Sequence, residues 1–213
     1  MLSLWSAKGG VGTTVTCALA ALQQSAIRPT ILVDLAGDLP DVIGRPHPSR
    51  GVRTVILEPS TDLAGVAVEL TASLTLVGAG PWSSDDPDPD PGVGAALIDE
   101  LAVWEDQSIV VDLGTGPPPW MRVIAGAGSS VVVVQPCYVA LRRTLAALRD
   151  LPAVGVVVVA RTGALLDHRD VEAVLGLPVL ASVAVDPRLA AAVDSGTLLS
   201  GRFRMPSLVD LPW

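Results

Sequence analysis

Lysine is almost missing from this chain: a single residue, Lys8, stands against thirteen arginines in 213 positions. Where arginine meets nearly every cationic need, the one ammonium retained marks a task that a planar guanidinium performs poorly. Compact contact with a phosphate is such a task. Cysteine is scarce as well. Cys17 and Cys137 lie far apart without metal spacing, which argues against a disulfide framework or a thiolate site and predicts two small, reduced, buried side chains. No apolar run approaches the ~20 residues that cross a bilayer. The longest, such as those at 131–134 and 154–160, have strand length and read as parallel strands buried on both faces. The opening Met1-Leu2-Ser3-Leu4-Trp5 carries no basic region, so no cleaved leader is expected. A basic surplus is absent too: the net charge is −8, which weighs against a chain whose main task is coating nucleic acid. Much of the acid is local, with Asp85, Asp86, Asp88 and Asp90 set among prolines in 81–92. That stretch is too polar and proline-rich for a packed element and reads as a solvated loop, the alternative being an acidic tether for a partner.

What is present begins at Lys8. The string Ser6-Ala7-Lys8-Gly9-Gly10-Val11-Gly12-Thr13-Thr14 follows a short apolar run and precedes apolar residues at helical spacing over 14–25, giving the order strand, glycine-rich turn, helix. Such a turn makes an anion nest, because side-chain-free positions let backbone N–H groups converge and the helix adds its positive dipole end. The hydroxyl of Thr14 is suited to a Mg²⁺ that accompanies a nucleotide. The competing reading is a tight turn that is glycine-rich for steric reasons alone.

Strand and helix patterns alternate along the whole chain. Strands are predicted near 2–6, 30–34, 74–77, 108–112, 130–135, 154–160 and 179–183. Helices are predicted at 14–25, within 50–70, and at 93–104, 119–127, 138–149, 168–175 and 187–195. This alternation predicts one α/β domain over 1–213, a doubly wound, mostly parallel sheet with helices on both faces. Ligands of such sheets lie off the carboxyl ends of the strands, where the glycine-rich string falls. Two acids share that location, Asp34 after Thr30-Ile31-Leu32-Val33 and Asp112 after Ser108-Ile109-Val110-Val111. A carboxylate there can hold Mg²⁺ directly or through water, and it can equally cap a helix or face solvent.

With these residues in view, the string resembles the deviant Walker A motif of the MinD/ParA ATPases, Lys-Gly-Gly-X-Gly-Lys-Thr-Thr. The resemblance implies a P-loop NTPase-like fold with ATP and Mg²⁺ as cofactors. It implies that Lys8, Gly9, Gly10, Val11, Gly12, Thr13 and Thr14 hold the nucleotide, that Thr14 and Asp112 hold the metal, and that Lys8 and Asp34 act in catalysis. In that family the signature lysine, here Lys8, reaches across a nucleotide-sandwich homodimer. Asp112 resembles the Walker B acid, and Asp34 the first acid of an Asp-X-Asp motif. Departures accompany the match: Thr13 stands where the general P-loop lysine is expected, Ala7 where a glycine opens the loop, and Ala36 where the second acid orients water, with Asp38 and Asp41 nearby. A non-lysine at position 13 is a habit of the CpaE/TadZ-like branch, which helps position Flp/Tad pilus machinery. Further along, 131–136 followed by Val139-Ala140-Leu141-Arg142-Arg143 resembles the family's strand, proline and helix. The run 156–161 resembles a strand that ends in Asn-Arg and helps hold adenine, with Ala160 in place of the amide.

The expectation is a cytoplasmic, weakly hydrolysing ATP switch. It dimerises with nucleotide, acts with protein partners of a pilus, polar or septal complex, and is brought to the inner membrane or pole by a partner. The alternatives are a nucleotide-free scaffold and a DNA-partitioning ATPase, the last opposed by the acidic balance. Segment 201–213 has two prolines and no basic amphipathic period, so no membrane-targeting helix is expected. His47 and His168 lack catalytic or metal-binding company. Trp5, Trp104 and Trp120 read as core or interface residues. Arg142 and Arg143 read as a solvated helix face, with phosphate or DNA contact as the alternative.

Overall fold

The computed structural model describes residues 1–58, 60–81, 89–90, 92–104, 106–161, 163–200, 205–208 and 211–213. Of the predicted acidic loop 81–92, residues 82–88 and 91 lie outside that set, and Gly92 already belongs to a helix. Eight strands are described: β1 Leu2–Ser6, β2 Thr30–Asp34, β3 Val68–Thr71, β4 Leu74–Val77, β5 Ser108–Thr115, β6 Ser129–Val134, β7 Gly155–Ala160 and β8 Val179–Ala184. They form one sheet in the order β3-β4-β2-β5-β1-β6-β7-β8, and every neighbouring pair except β3 with β4 is parallel. The helices are α1 Thr13–Ser25, α2 Leu39–Ile43, α3 Val52–Leu57, α4 Gly92–Leu101, α5 Pro119–Gly126, α6 Tyr138–Ala147, α7 His168–Leu175 and α8 Pro187–Asp194.

The valine-rich runs form central strands because both faces of the sheet are covered. On one face Leu2, Leu4, Leu32, Val110 and Val131 pack with Cys17, Ala18 and Ala21 of α1, with α2, and with Leu189 and Ala192 of α8. The alanines of α1 let its backbone lie close to the strands. On the other face Trp5, Val33, Val111, Val132 and Val156 pack with α4, α5, α6 and α7 through residues such as Leu97, Trp120, Leu141 and Val171. Each fully buried aliphatic side chain contributes about 1.5–3 kcal/mol. The doubly wound α/β class is therefore as predicted, and so are the tryptophans: Trp5 and Trp120 are buried and Trp104 packs against the core.

The sequence reading missed three local features. Within 50–70 the predicted helix is α3, and what went unread there is the 3₁₀ turn at Ala64–Val66 and the antiparallel edge strand β3 that follow it. Four alternating residues, Val68-Glu69-Leu70-Thr71, are too few to announce a strand without the neighbour that pairs with them. The five-residue helix α2 is likewise too short for its period to show. Cys17 is buried as expected, but Cys137 is only half-buried, at the N-cap of α6. Among the described residues no helix is long and apolar enough to cross a membrane.

Candidate functional site

The glycine-rich string joins β1, in the middle of the sheet, to α1. Gly12 is the N-cap residue of α1, with φ 93° in the left-handed region, and Gly10 shares that region with φ 72°. A side chain at either position would strain the backbone. Gly9 differs. Its φ is ordinary, and a Cβ built there would meet nothing within 4 Å. Neither conformation nor packing explains glycine at 9, so the steric reading covers only part of the string. The N-terminus of α1 has no side-chain cap and no acid in its first turn. Its first N–H groups, which no turn of helix can satisfy, thus face the loop. Lys8 folds back along the loop, its Nζ donating to the Gly9 carbonyl at 3.2 Å. The Gln135 amide, at the end of β6, donates to the Gly10 carbonyl at 3.2 Å and props the loop from the far side. No pattern in the sequence singled out Gln135; its one signal was a polar side chain directly after the valines of β6.

Beside the loop lie the two acids. Asp34 and Asp112 are register partners on β2 and β5, both fully buried. The pleat turns them onto the α1 face with Leu32 and Val110. Asp112 is not at the end of its strand as the sequence implied. β5 continues to Thr115, with Gly114 at φ 66° and a register irregularity where Leu4 and Ser6 of β1 pair with Asp112 and Thr115. The Oδ1 of Asp112 accepts from the Gly114 N–H at 2.9 Å and braces this bulge, and Ser6 Oγ lies 3.1 Å from Thr115 Oγ1. Asp34 accepts from the N–H of Gly37 at 2.7 Å and of Leu39 at 3.2 Å, so it also holds the start of α2.

Burial pushes the Asp34 carboxyl up to about 7, with Asp112 and Asp38 adding to the rise and the two N–H donors opposing it. Burial also raises Asp112, against the polar influence of Thr14, Gly114 and Cys17. Thr14 and Cys17 favour the charged carboxylate from nearby, yet among the described residues Oδ2 of Asp112 has no partner in hydrogen-bond geometry, and neither have the buried hydroxyls of Thr13 and Ser3. Burial, then the Asp112 charge, raises the Cys17 thiol well above its ordinary value, so it is an inert thiol. Asp38 is exposed, and Asp41 pairs with His47 at 3.0 Å. Ala36, where the second acid was expected, packs where a side chain on Gly114 would fall, at 2.9 Å.

A cleft of about 570 Å³ brings together Gly10, Gly12, Thr13, Thr14, Asp38 and Gly114. Its chemistry suits Mg²⁺ with a phosphate group. An uncapped helix end and flexible glycines offer N–H donors and Thr14 a hard oxygen, while Lys8 and the fully buried Asp112 are not among the residues that line the cleft, although both lie close to ones that do. Among the described residues no group of three or more His, Cys, Asp or Glu forms a complete cation cage. Mg²⁺ needs none, because it is commonly held by one or two carboxylates, waters and the phosphates themselves. On the other side of Gly10 and Gly12 a second, mostly apolar slot of about 250 Å³ opens between α1, β7, β8 and α8. Val159 and Arg161 line it, while Ala160 turns to the opposite face and packs with that core.

No protein-family model matches the sequence, and no curated protein matches it. Solved structures do. A ParA family ATPase from Chlorobium tepidum superposes with a TM-score of 0.76 at 20% identity, over 92% of this chain and 90% of that one. The MinC:MinD cell division protein complex of Aquifex aeolicus gives 0.76 at 18% identity, over 93% and 86%. The septum site-determining protein MinD of Pyrococcus horikoshii, complexed with Mg-ADP, gives 0.71 at 18%, over 99% and 88%. At these identities the shared property is the architecture: the chain has the fold of ParA- and MinD-type ATPases.

Proposed function

We propose that this chain is a nucleotide-dependent dimerisation switch that binds ATP with Mg²⁺, hydrolyses it slowly and positions other cellular machinery. The carrying observation is the convergence of an uncapped α1 N-terminus with two buried, unpartnered oxygens, Thr13 Oγ1 and Asp112 Oδ2, beside a loop whose Gly9 nothing in the fold requires. Buried polar atoms without partners are rare and mark either strain or a ligand. When bound, Mg²⁺ would neutralise charge on the phosphate oxygens. Asp112 and Thr14 would orient it, and the N–H groups of 9–14 would cradle the phosphates. Lys8 would swing from the Gly9 carbonyl toward a partner chain's nucleotide, completing a homodimer. Slow turnover follows from the hydroxyl of Thr13 in place of a cation and from the methyl of Ala36 in place of a water-orienting acid. Asp38, exposed at the same cleft, is the acid left to assist. The fold shared with MinD and ParA proteins, one of them in complex with Mg-ADP and one with MinC, supports the reading. The substitution at 13 favours a CpaE/TadZ-like role at a pilus, pole or septum.

Calorimetric titration with MgATP, paired with light scattering, tests it. Saturable binding with a doubling of mass is expected, and Lys8→Ala should abolish the doubling. Absence of any binding heat would leave a nucleotide-free scaffold instead.

A further inference from the structure

The cleft beside the loop carries acids, and none of the described residues that line it is a lysine or an arginine. Asp38 lines it in an exposed position, and its charge lies close enough to raise the carboxyls of both Asp34 and Asp112. Asp41 lines it as well but is paired with His47. Lys8 stands outside the lining, its Nζ on the Gly9 carbonyl. A triphosphate over the loop brings more negative charge than one Mg²⁺ cancels, which is why P-loops ordinarily set a lysine ammonium against the β- and γ-phosphates. Here that position is Thr13, and the inference drawn from it rests on the nucleotide-binding reading above.

Thr13 is the first residue of α1, lines the cleft and is only 6% exposed. Its Oγ1 is buried with no hydrogen-bond partner among the described residues. A helical threonine can commit its hydroxyl to the carbonyl four residues back, as Thr16 Oγ1 does to that of Gly12 at 2.8 Å. Thr13, at the head of the helix, makes no such bond. An orphaned oxygen of this kind asks for an explanation, and a ligand is one. Threonine in a helix has two open χ1 rotamers, so the hydroxyl can turn toward the cleft that its residue lines. A neutral hydroxyl suits a large, loosely hydrated monovalent cation better than a second Mg²⁺, which sheds water reluctantly and is held through carboxylates. A cation touching that hydroxyl stands off the helix end much as the ammonium of an extended lysine would.

We propose that Thr13 Oγ1, together with the phosphate oxygens and with Asp38 through water, forms a site for a potassium-sized monovalent cation that takes the part of the P-loop ammonium. MgATP and the cation then bind cooperatively, each raising the affinity of the other by the same factor. With phosphate oxygens among its ligands the site needs no protein cage, and the described residues form none of three or more His, Cys, Asp or Glu.

Calorimetric titration of the full chain with MgATP in KCl and in choline chloride, at one pH and one ionic strength, tests this. Matched ionic strength equalises the screening. Affinity should be about tenfold or more higher in KCl, the size of one charge-assisted contact, and equal affinity in the two salts overturns the proposal. Thr13→Val should bind equally weakly in both salts. Thr13→Lys should bind equally tightly in both, because its own ammonium makes the cation unnecessary; should that variant fail to fold, Thr13→Val carries the test alone. A potassium effect that survives Thr13→Val puts the cation elsewhere and also overturns the proposal. Without nucleotide the melting temperature should be the same in both salts, and a rise in KCl counts against a site that phosphates complete. No binding heat in either salt refutes the nucleotide reading itself, whereas equal binding in both refutes the cation site alone.

Discussion

Asp34 and Asp112 stand side by side on β2 and β5, paired in register and both shut away from solvent beneath α1. Two neighbouring carboxylates in a dry interior oppose folding, because each resists charging and each repels the other once charged. Their oxygens are partly held by the N–H groups of Gly37, Leu39 and Gly114, so the arrangement is built and not accidental. A pair that costs stability next to the residues lining the cleft is most simply explained by a ligand that needs it.

This pair makes stability depend on pH. The Asp34 carboxyl moves from 3.8 to about 7 on folding. Through that window the folded chain holds a proton that the unfolded chain has released, so stability is fully present below the lower value and falls as pH rises to the upper one. The whole effect is on the order of 4 kcal/mol. Urea unfolding in Mg²⁺-free buffer at pH 5 and 7.5 samples the upper part of that window, where a loss of roughly 3 kcal/mol is expected. Asp34→Asn should flatten the slope, and equal slopes for variant and wild type would show that the carboxyl titrates normally.

Thr13 separates folding from binding. Its Oγ1 is buried without a partner, so Thr13→Val removes a desolvated hydroxyl that stabilises nothing and should leave stability unchanged or raise it by about 1 kcal/mol. Nucleotide affinity should fall in the same variant. A marked loss of stability in a denaturant titration would mean the hydroxyl has an internal partner after all.

Gly9 and Gly12 predict opposite outcomes for the same change. At Gly12, φ 93° makes alanine strained by about 1–2 kcal/mol. At Gly9, open space and an ordinary φ predict that alanine leaves the melting temperature in place while weakening the MgATP titration. If Gly9→Ala binds MgATP as wild type does, phosphate is not held at that position.

Gly44, after α2, meets Gly196, after α8, backbone to backbone. A Cβ on Gly44 would fall 1.8 Å from the Gly196 carbonyl oxygen, and its φ is 70°. Gly44→Ala should therefore cost about 3 kcal/mol or more, since rigid backbone must move on both sides. Chemical denaturation checks this, and a loss below about 1 kcal/mol would show that the contact gives way easily.

The chain's order of elements was legible from residue pattern because strand-length valine runs and helical periods report burial locally. The glycine string was legible because its signal is contiguous. The edge strand β3 was not, since four residues carry too little period. Asp112 was recognised as an acid near a strand end, but its position inside a bulge was not, because the bulge exists only where β5 meets β1. The apolar slot drew no notice, its valines and leucine coming from a loop, a helix, two strands and a second helix distant in sequence.

By itself the amino-acid string determined that one ammonium, three glycines and two threonines would meet at the end of a buried strand, because neighbours along a chain need no fold to stay together. Only the sheet order β2-β5-β1 decided that Asp34 and Asp112 face each other and lie beside that loop. Register between strands is set by how the two hydrophobic faces are covered, a property that no local stretch contains.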